Sequence, residues 1–437
     1  MSIYKFQSER TMHNMQSVKK FNIKNGINLY YINDTKYKTV SMAMYLHRKI
    51  DKSEVTLNSL LTKVLRHGTS KYNSIKSVNT YLESLYGTLF SIDVSKKADI
   101  QSISCSVSNI TDTYSQKGVT NEAARFMLEL MFEPYVVDGA FCKDYVDGEK
   151  KNLKDDIEAI INDKRSYANM RCVEEMCKGE KNAIHSCGYI DDIPKIDAAI
   201  LYNHYKSIIF SSPIDIYVVG DADINSVVNT ISDYLDKYSF NIAPNAPVLT
   251  KKPAGEIKYI EEKLDVNQGK LSMGFMTQTN ADDDSYYALL VANSIFGSGA
   301  HSKLFNNVRE KMSLAYYASS RLDKFNSLMI VSSGIEFKNY SKAKDEILVQ
   351  LEAVKNGDFT DDELAVAKEF IINSYKSYLD SPYLMREFYL ISGFTKGKDT
   401  LEEAIEKVRS VTKEQAGEVF KKVNLDTVYF LKGKDCE

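Results

Sequence analysis

The chain has 437 residues, of which 43% are hydrophobic and 26% are charged. This length and composition are typical of a globular protein that buries more than one core, and they predict roughly two to four domains. Lysine and arginine number 56 and aspartate and glutamate 59, so the formal net charge is only -3. So small a charge excludes proteins that bind nucleic acid or an anionic membrane through a strong field, and any partner must be recognised by local surface.

The N-terminal segment, residues 1–21, is polar and contains Lys19 and Lys20 but no apolar run. Such a segment is not typical of a signal peptide or of a membrane span. We therefore expect the protein to stay in the cytoplasm.

The first half of the chain reads as strands alternating with helices. Residues 40–46 alternate in the manner of a strand, and the apolar residues that follow recur on one helical face. Those helical residues are Leu57, Leu60, Leu61, Val64 and Leu65. The later elements predicted in this half are a helix over 78–86, a hairpin of 87–94 with 100–107, a helix over 200–208 and a strand over 214–220.

A linker is predicted near the middle of the chain. Pro244, Pro247 and Pro253 are three of the seven prolines, and they lie close together among Asn, Ala and Lys. Such a composition is typical of an extended connection between domains. It predicts an N-terminal domain over 1–240, a linker over 241–256 and a C-terminal domain over 257–437.

The second half repeats the order of the first. A strand over 269–275 precedes a helix whose apolar face carries Ala288, Leu289, Ala292 and Ile295. The elements that follow are a helix over 304–311, a hairpin of 314–321 with 328–335, a helix over 414–423 and a strand over 426–433. The pattern predicts an α+β protein of two homologous domains, each a sheet with helices packed on one side, related by internal duplication.

The six cysteines include no CxxC pair. Cys105 alternates with apolar neighbours, which indicates a buried strand thiol. Cys172, Cys177, His185 and Cys187 are closer together and could form a thiolate metal site, although a five-residue step between the first two is awkward on a helix. No two of the six histidines are three or four positions apart, so His67 and His301 are better explained as single surface residues than as metal ligands.

One segment of the second half carries a recognisable motif. It runs from Phe296-Gly297-Ser298-Gly299 through Ser302-Lys303-Leu304-Phe305 and Val308-Arg309-Glu310-Lys311 to Leu314-Ala315-Tyr316-Tyr317. This segment resembles the arginine and tyrosine segment of the insulinase-like (pitrilysin) metallopeptidases. The resemblance implies that Arg309 and Tyr316 position a peptide and support the oxyanion formed during its cleavage.

Two features of this segment bear on its geometry. Ser313 stands where the family usually has Gly, which predicts an altered turn before Tyr316. Gly297 and Gly299 either allow the backbone to approach a peptide or another subunit, or they simply end a helix.

The zinc motif of the same family is missing. Gly68-Thr69 resembles the Gly-Thr that closes the HxxEH motif, which places Ser59, Thr62 and Lys63 at the positions of the first His, the Glu and the second His. The downstream ligand falls near Asp156. A hydroxyl is a poor zinc ligand, and an ammonium group has no free lone pair and repels a dication. We therefore expect no metal, no catalytic residue and no peptidase activity in this chain alone.

The resemblance also implies partners. Segments 60–65, 82–87, 94–97 and 425–431 resemble a bacterial, zinc-less type of the family, whose members pair with a zinc-bearing insulinase-like (YmfH-like) subunit and have been associated with modification of elongation factor P. The first hypothesis is thus a non-catalytic, substrate-clasping subunit of a heterodimeric zinc peptidase, with peptide substrates and with zinc in the partner. A second is a homodimeric peptide-binding or scaffold protein without peptidase activity. A third is an independent metal enzyme that uses the region from Cys172 to Cys187.

Overall fold

The computed structural model describes residues 18–434. His13, Cys436 and most of the polar N-terminal segment therefore lie outside the described residues. In the first half the strands are β1 (Val18–Lys24), β2 (Ile27–Ile32), β3 (Thr39–Lys49), β4 (Leu89–Lys97), β5 (Ile100–Ile110), β6 (Val136–Val137), β7 (Ala140–Phe141) and β8 (Ile214–Val219). Its α-helices are α1 (Lys52–Leu65), α2 (Ile75–Ser84), α3 (Val119–Phe132), α4 (Lys143–Ala159), α5 (Lys164–Met176), α6 (Ala198–Ile209) and α7 (Ile224–Leu235).

The second half contains strands β9 (Lys258–Leu264), β10 (Gly269–Met276), β11 (Ala315–Asp323), β12 (Leu328–Ile335) and β13 (Asn424–Gly433). Its α-helices are α8 (Tyr286–Gly297), α9 (Tyr340–Lys355), α10 (Asp361–Tyr378), α11 (Pro382–Gly393), α12 (Leu401–Ser410) and α13 (Lys413–Phe420), and a π-helix spans Leu304–Lys311. Short 3₁₀ turns cover Ile160–Asn162, Lys181–Ala183, Ile190–Lys195 and Phe337–Asn339. None of the helices within 18–434 has both the length and the apolar character needed to cross a membrane.

The two main sheets share one topology. The N-terminal sheet has the order β1-β2-β8-β3-β5-β4, and the C-terminal sheet, read from its opposite edge, has β9-β13-β10-β12-β11. In both sheets the first pair of the shared five strands is parallel and the other pairs are antiparallel. The α+β fold with an internal duplication is thus confirmed, and β1 is an addition to the first copy.

The predicted elements are present with small shifts at their ends. The helix expected over 78–86 is α2, which ends at Ser84 because Tyr86 and Gly87 both adopt positive φ and turn the chain into β4. The helix expected over 414–423 ends at Phe420. The predicted linker contains neither helix nor strand. Its backbone is nevertheless held by both halves, since the Val248 N–H donates to Asp99 Oδ1 and the Thr250 N–H to the carbonyl of Phe325. The domain boundaries themselves stay a prediction.

Each sheet buries one face under helices of its own half. In the N-terminal sheet this face carries Val40, Met42, Met44 and Leu46 of β3, which pack against α1, α3 and α7. In the C-terminal sheet the equivalent residues of β10 pack against α8, α9, α10 and α13. Alternation along the strands explains why these residues share a face.

The other face of each sheet receives a helix from the opposite half. Met385 and Leu390 of α11 join Ala43, Tyr45 and Tyr217 of the N-terminal sheet in one buried cluster. In a reciprocal arrangement, Ala168, Cys172 and Met176 of α5 pack on Met276, Leu328, Tyr429 and Leu431 of the C-terminal sheet. The sequence pattern predicted helices on one side of each sheet and gave no sign of this exchange, which joins the two halves.

Candidate functional site

The first two positions of the degenerate zinc motif lie on the inner side of α1. Ser59 and Thr62 are each only 4% exposed. The Thr62 hydroxyl donates to the Ser59 carbonyl at 2.9 Å, and the Ser59 hydroxyl donates to the Ser186 carbonyl at 3.1 Å. Both hydroxyls are therefore committed to backbone carbonyls, and they anchor α1 and the loop beside it rather than facing a metal.

The other two positions are brought together as an ion pair. Lys63 Nζ lies 2.5 Å from Asp156 Oδ2, across the contact between α1 and α4. The ammonium group thus neutralises the one carboxylate that the predicted site could offer. These four residues do not fit zinc, because two are buried hydroxyls and the remaining pair already satisfies its own charge.

The two histidines considered as distant metal ligands occupy separate environments. His67 Nε2 lies 2.7 Å from Glu149 Oε1, and its ring stacks on Tyr145. His301 belongs to the other half, where it contacts the Ser294 hydroxyl and the Phe370 ring. Burial lowers the pKa of His301. Both side chains are partly buried, so the prediction of simple surface histidines is wrong in that respect.

The candidate thiolate metal site of Cys172, Cys177, His185 and Cys187 is not formed either. Cys172 and Cys177 are buried between α5 and the C-terminal sheet, and burial raises the pKa of Cys177 to about 11 and that of Cys172 still further. His185 contacts Glu174, and Cys187 is exposed. Within residues 18–434, no group of three or more His, Cys, Asp or Glu side chains is arranged to hold a metal.

Arg309 is presented by the π-helix. This helix has a wider turn than the predicted α-helix, and its last bonds run from Met312 N–H to the Asn307 carbonyl. The Arg309 guanidinium lies over the Phe305 ring, 4.6 Å from its centroid, and its Nε is 3.5 Å from Glu310 Oε1. The side chain is 42% exposed. Short π-helical turns occur frequently at functional sites, because they re-aim the side chains that they carry.

Tyr316 is presented by a β-bulge at the start of β11. Ala315 pairs with Ile335 and Tyr317 with Gly334, so Tyr316 is the extra residue of the bulge. Its side chain is 61% exposed. A bulge turns a side chain away from the regular pleat and is common beside active sites. The π-helix packs against β11, so both residues of the predicted pair are carried by neighbouring elements and both are accessible.

Ser313, which replaces the expected glycine, adopts a positive φ of 49°. This left-handed conformation strains a residue with a Cβ by about 1 kcal/mol, and glycine relieves the strain at some entropic cost. We expect Ser313→Gly to raise the free energy of unfolding by about 0.5 kcal/mol in urea titrations. Ser374→Gly, in the exposed interior of α10, should instead lower it by about 0.5 kcal/mol. Destabilisation by the first change would contradict the strained turn.

The two glycines of the motif have separable roles. A Cβ at Gly297 would come within 2.4 Å of the Ser320 hydroxyl, so this residue allows the end of α8 to pack on β11. Gly299 has φ +106 just beyond the end of α8. Both observations favour a structural role for these glycines, which end α8 and let it pack on the sheet, over close approach of a peptide or another subunit.

A large cleft between the halves was not predicted. Its volume is about 890 Å³, and Ser319 and Arg321 of the edge strand β11 line it from the C-terminal half. Basic residues outnumber acidic ones in its lining, with Lys96, Lys97, Arg165, Arg321 and Lys324 against Asp163 and Asp323. Burial lowers the pKa of Lys324 to about 8. These residues are scattered along both halves of the sequence, so no local pattern could have revealed the cleft.

The cleft is braced by a contact between the halves. Arg165 Nη2 donates to the Ser319 hydroxyl at 2.8 Å, and its guanidinium lies 4.3 Å from the centroid of the Tyr317 ring. The same strand thus bears the exposed Tyr316 near its start and lines the cleft with residues of its second half, from Ser319 onward.

Comparisons with known proteins agree with the fold and match proteins described as inactive. Residues 195–371 match the model of the family described as peptidase M16 inactive domain. The chain is 37% identical to the probable inactive metalloprotease YmfF of Bacillus subtilis (strain 168), over 94% of this chain and 96% of that protein.

Solved structures extend the comparison. A conserved protein from Enterococcus faecalis V583 superposes with a TM-score of 0.88 at 30% identity, over 96% of this chain and 99% of that one. A peptidase M16 inactive domain from Pseudomonas fluorescens has a TM-score of 0.76 at 18% identity, over 96% and 99%. The second likeness bears on the fold alone.

Proposed function

Because the chain belongs to the peptidase M16, or insulinase-like, family as an inactive member, we propose that it is the non-catalytic, substrate-clasping subunit of a heterodimeric zinc peptidase that acts on peptides. The observation that carries the proposal is a contrast within one chain. The zinc positions are closed by the ion pair of Lys63 with Asp156, whereas Arg309 and Tyr316 remain exposed on a π-helix and a β-bulge. Zinc and the attacking water would therefore come from the partner subunit.

The geometry around β11 suits an extended peptide. Among the strands of residues 18–434, β11 is an edge strand with one side free to pair with another backbone, and such pairing gives affinity without regard to sequence. A peptide laid along it would meet Tyr316 at the bulge and Arg309 just before it. The Arg309 fork can hold a carbonyl or carboxylate, and the Tyr316 hydroxyl can donate to an oxyanion.

The proposal also includes a cytoplasmic location, which rests on the polar composition of residues 1–21. It further includes an association with modification of elongation factor P, which rests on the family resemblance alone. The partner would be a zinc-bearing insulinase-like subunit of the YmfH-like type.

A reconstitution experiment tests the proposal. The full chain, a zinc-bearing homologue with an intact HxxEH motif, and their equimolar mixture are compared for mass by analytical ultracentrifugation, for zinc by mass spectrometry, and for cleavage of a fluorogenic peptide library. We expect a heterodimer with one zinc, and peptidase activity in the mixture above the sum of the separate activities.

Other outcomes would favour other functions. A homodimer that binds peptides, ignores the homologue and cleaves nothing would favour the peptide-binding or scaffold alternative. Stoichiometric zinc and chelator-sensitive cleavage by the isolated chain would contradict the assignment of the metal to a partner.

A further inference from the structure

A pocket distinct from the Arg/Tyr segment lies where the N terminus of α11 meets the open face of the N-terminal sheet. Its volume is about 250 Å³. Half of its twelve lining residues carry a serine or threonine hydroxyl, and they are Thr39, Ser41, Ser91, Ser106, Ser108 and Ser381. The Ser91 and Ser106 hydroxyls bond to each other at 2.9 Å. No acidic side chain is among the described residues that line the pocket, so it offers hydroxyl groups and no negative charge.

A buried cation with an unused donor forms one wall of this pocket. The Arg386 side chain is only 5% exposed. Its Nη1 donates to the Ser41 hydroxyl at 2.9 Å and to the Met42 carbonyl at 3.4 Å. Its Nε is buried and has no hydrogen-bond partner in the described part of the chain. Since a buried donor on a charged group is costly to leave unpaired, this nitrogen indicates that an acceptor is missing.

The charge of Arg386 is also incompletely balanced. The carboxylate of Glu387 is the one that faces it, with Oε1 at 4.0 Å from Arg386 Nη2. That carboxylate already accepts from the Tyr45 hydroxyl at 2.7 Å and pairs with Lys97 at 3.2 Å. Two cations thus share one carboxylate, which leaves a positive charge beside the pocket.

The start of α11 adds to this positive potential. The helix runs over Pro382–Gly393, and its N-cap, Ser381, accepts from the Leu384 N–H at 3.3 Å. The dipole of a helix of this length favours an anion at its N terminus. Within the part of the chain that the structure describes, the Tyr383 N–H is left free there, because Pro382 has no N–H and the Leu384 N–H is bonded to Ser381. The helix end and Arg386 are separate sources of positive potential at the same pocket.

We propose that this pocket binds the phosphoryl group of a small phosphorylated molecule. A tetrahedral oxyanion has enough acceptor atoms to use several hydroxyls beside the positive charge of Arg386. The Nη1 of this arginine is already committed to Ser41 and Met42, so its Nε is the donor left for the ligand. The volume exceeds that of a bare phosphate. Tyr383, which is 56% exposed and has its ring 5.1 Å from the Arg386 guanidinium, can cover an organic portion.

A ligand in this position would connect the two halves. Ser381 and Arg386 belong to the exchanged helix α11 and its cap, whereas the other hydroxyls belong to β3, β4 and β5. The bound group would hold the helix on the sheet, so occupancy should stabilise the folded protein by mass action. This role is independent of the proposed peptidase complex.

Calorimetric titration of the full chain tests the proposal, with inorganic phosphate and phenyl phosphate as probes and sodium chloride at equal ionic strength as the control. We expect one saturable site for phosphate. Arg386→Lys should weaken phosphate binding by about tenfold or more, because lysine keeps the charge but loses the fork. Arg409→Lys, at a surface arginine, should leave it unchanged. Tighter binding of phenyl phosphate that is lost in Tyr383→Ala would assign the site to phosphate esters, and equal affinity would assign it to inorganic phosphate.

A second variant keeps the proposal testable if the Arg386 variant does not fold. Ser106→Asp places a carboxylate inside the pocket and should abolish phosphate binding while raising Tm in phosphate-free buffer. Ser104→Asp, on the same strand but outside the pocket, should do neither. Absence of saturable phosphate binding above the chloride control, or a lower Tm in Ser106→Asp than in Ser104→Asp, would overturn the proposal.

Discussion

Removing the hydroxyl of Tyr316 should lower kcat/KM of the reconstituted heterodimer on the order of 100-fold, because the loss of one oxyanion donor has an effect of this size in other hydrolases. Tyr316→Phe removes only an exposed hydroxyl, so neither the core nor the bulge should change. Arg309→Ala should reduce the activity as well, mainly through a higher KM if the guanidinium positions substrate equally in the ground and transition states. Peptide cleavage under steady-state conditions measures both effects.

Matched controls separate the clasp from a general loss of structure. Tyr259→Phe removes an equally exposed hydroxyl from β9, at the opposite edge of the same sheet, and should leave the activity unchanged. Sedimentation should give the same heterodimer mass for every variant. Full activity in both Tyr316→Phe and Arg309→Ala would contradict the clasp while leaving the heterodimer possible.

The fold was largely predictable because its elements follow simple periodicities. Alternation along 40–46 and 269–275 identified the central strands β3 and β10, and the parallel order of elements in the two halves identified the duplication. The exchange of α5 and α11 could not be predicted, since an apolar helix face does not reveal which sheet it covers. One trace of it is present at Gly274, where a Cβ would lie 2.1 Å from Met176 Sδ of α5. A glycine in the middle of a strand is a signal of close approach, but its partner is known only from the structure.

The sequence provided candidate positions for the site but not their contacts. The resemblance placed Lys63 and Asp156 at predicted ligand positions, yet they are 93 residues apart and nothing local indicates that they pair. Similarly, the spacing of Arg309 and Tyr316 gave no indication of the π-helix or the bulge, because both depend on hydrogen bonds between elements. Arg386 was missed entirely, since a single arginine in an amphipathic helix is usually a surface residue.

Replacing Gly68 with alanine should have the largest effect on stability, a loss of about 3 kcal/mol or more in the free energy of unfolding. Gly68 adopts φ +139, and a Cβ there would lie 1.9 Å from the carbonyl oxygen of Tyr72. The obstacle is backbone, so it cannot move aside as a flexible side chain would. Urea unfolding followed by circular dichroism measures the loss.

Two other glycines separate the sources of this effect. Gly139 also has positive φ, but a Cβ added to it would meet no atom within 4 Å, so Gly139→Ala should cost only the backbone strain, about 1 kcal/mol. Gly148 lies within α4 in open space, and Gly148→Ala should stabilise the protein by about 1 kcal/mol. If Gly68→Ala were no worse than Gly139→Ala, the close contact with Tyr72 would not be a constraint.

The same contact explains which part of the zinc motif this chain retains. The Thr69 N–H donates to the Tyr72 carbonyl at 2.8 Å, and the Gly68 carbonyl accepts from the Tyr135 N–H at 3.2 Å. The Gly-Thr pair thus fixes the turn that follows α1, whether or not a metal is bound. The positions that correspond to the His and Glu residues of the motif do not constrain the backbone in this way. They are occupied by Ser59, Thr62 and Lys63, whose side chains form local hydrogen bonds and an ion pair. Replacement of the predicted ligand positions is therefore compatible with the fold of α1, whereas replacement of the glycine that shapes the end of this helix is not.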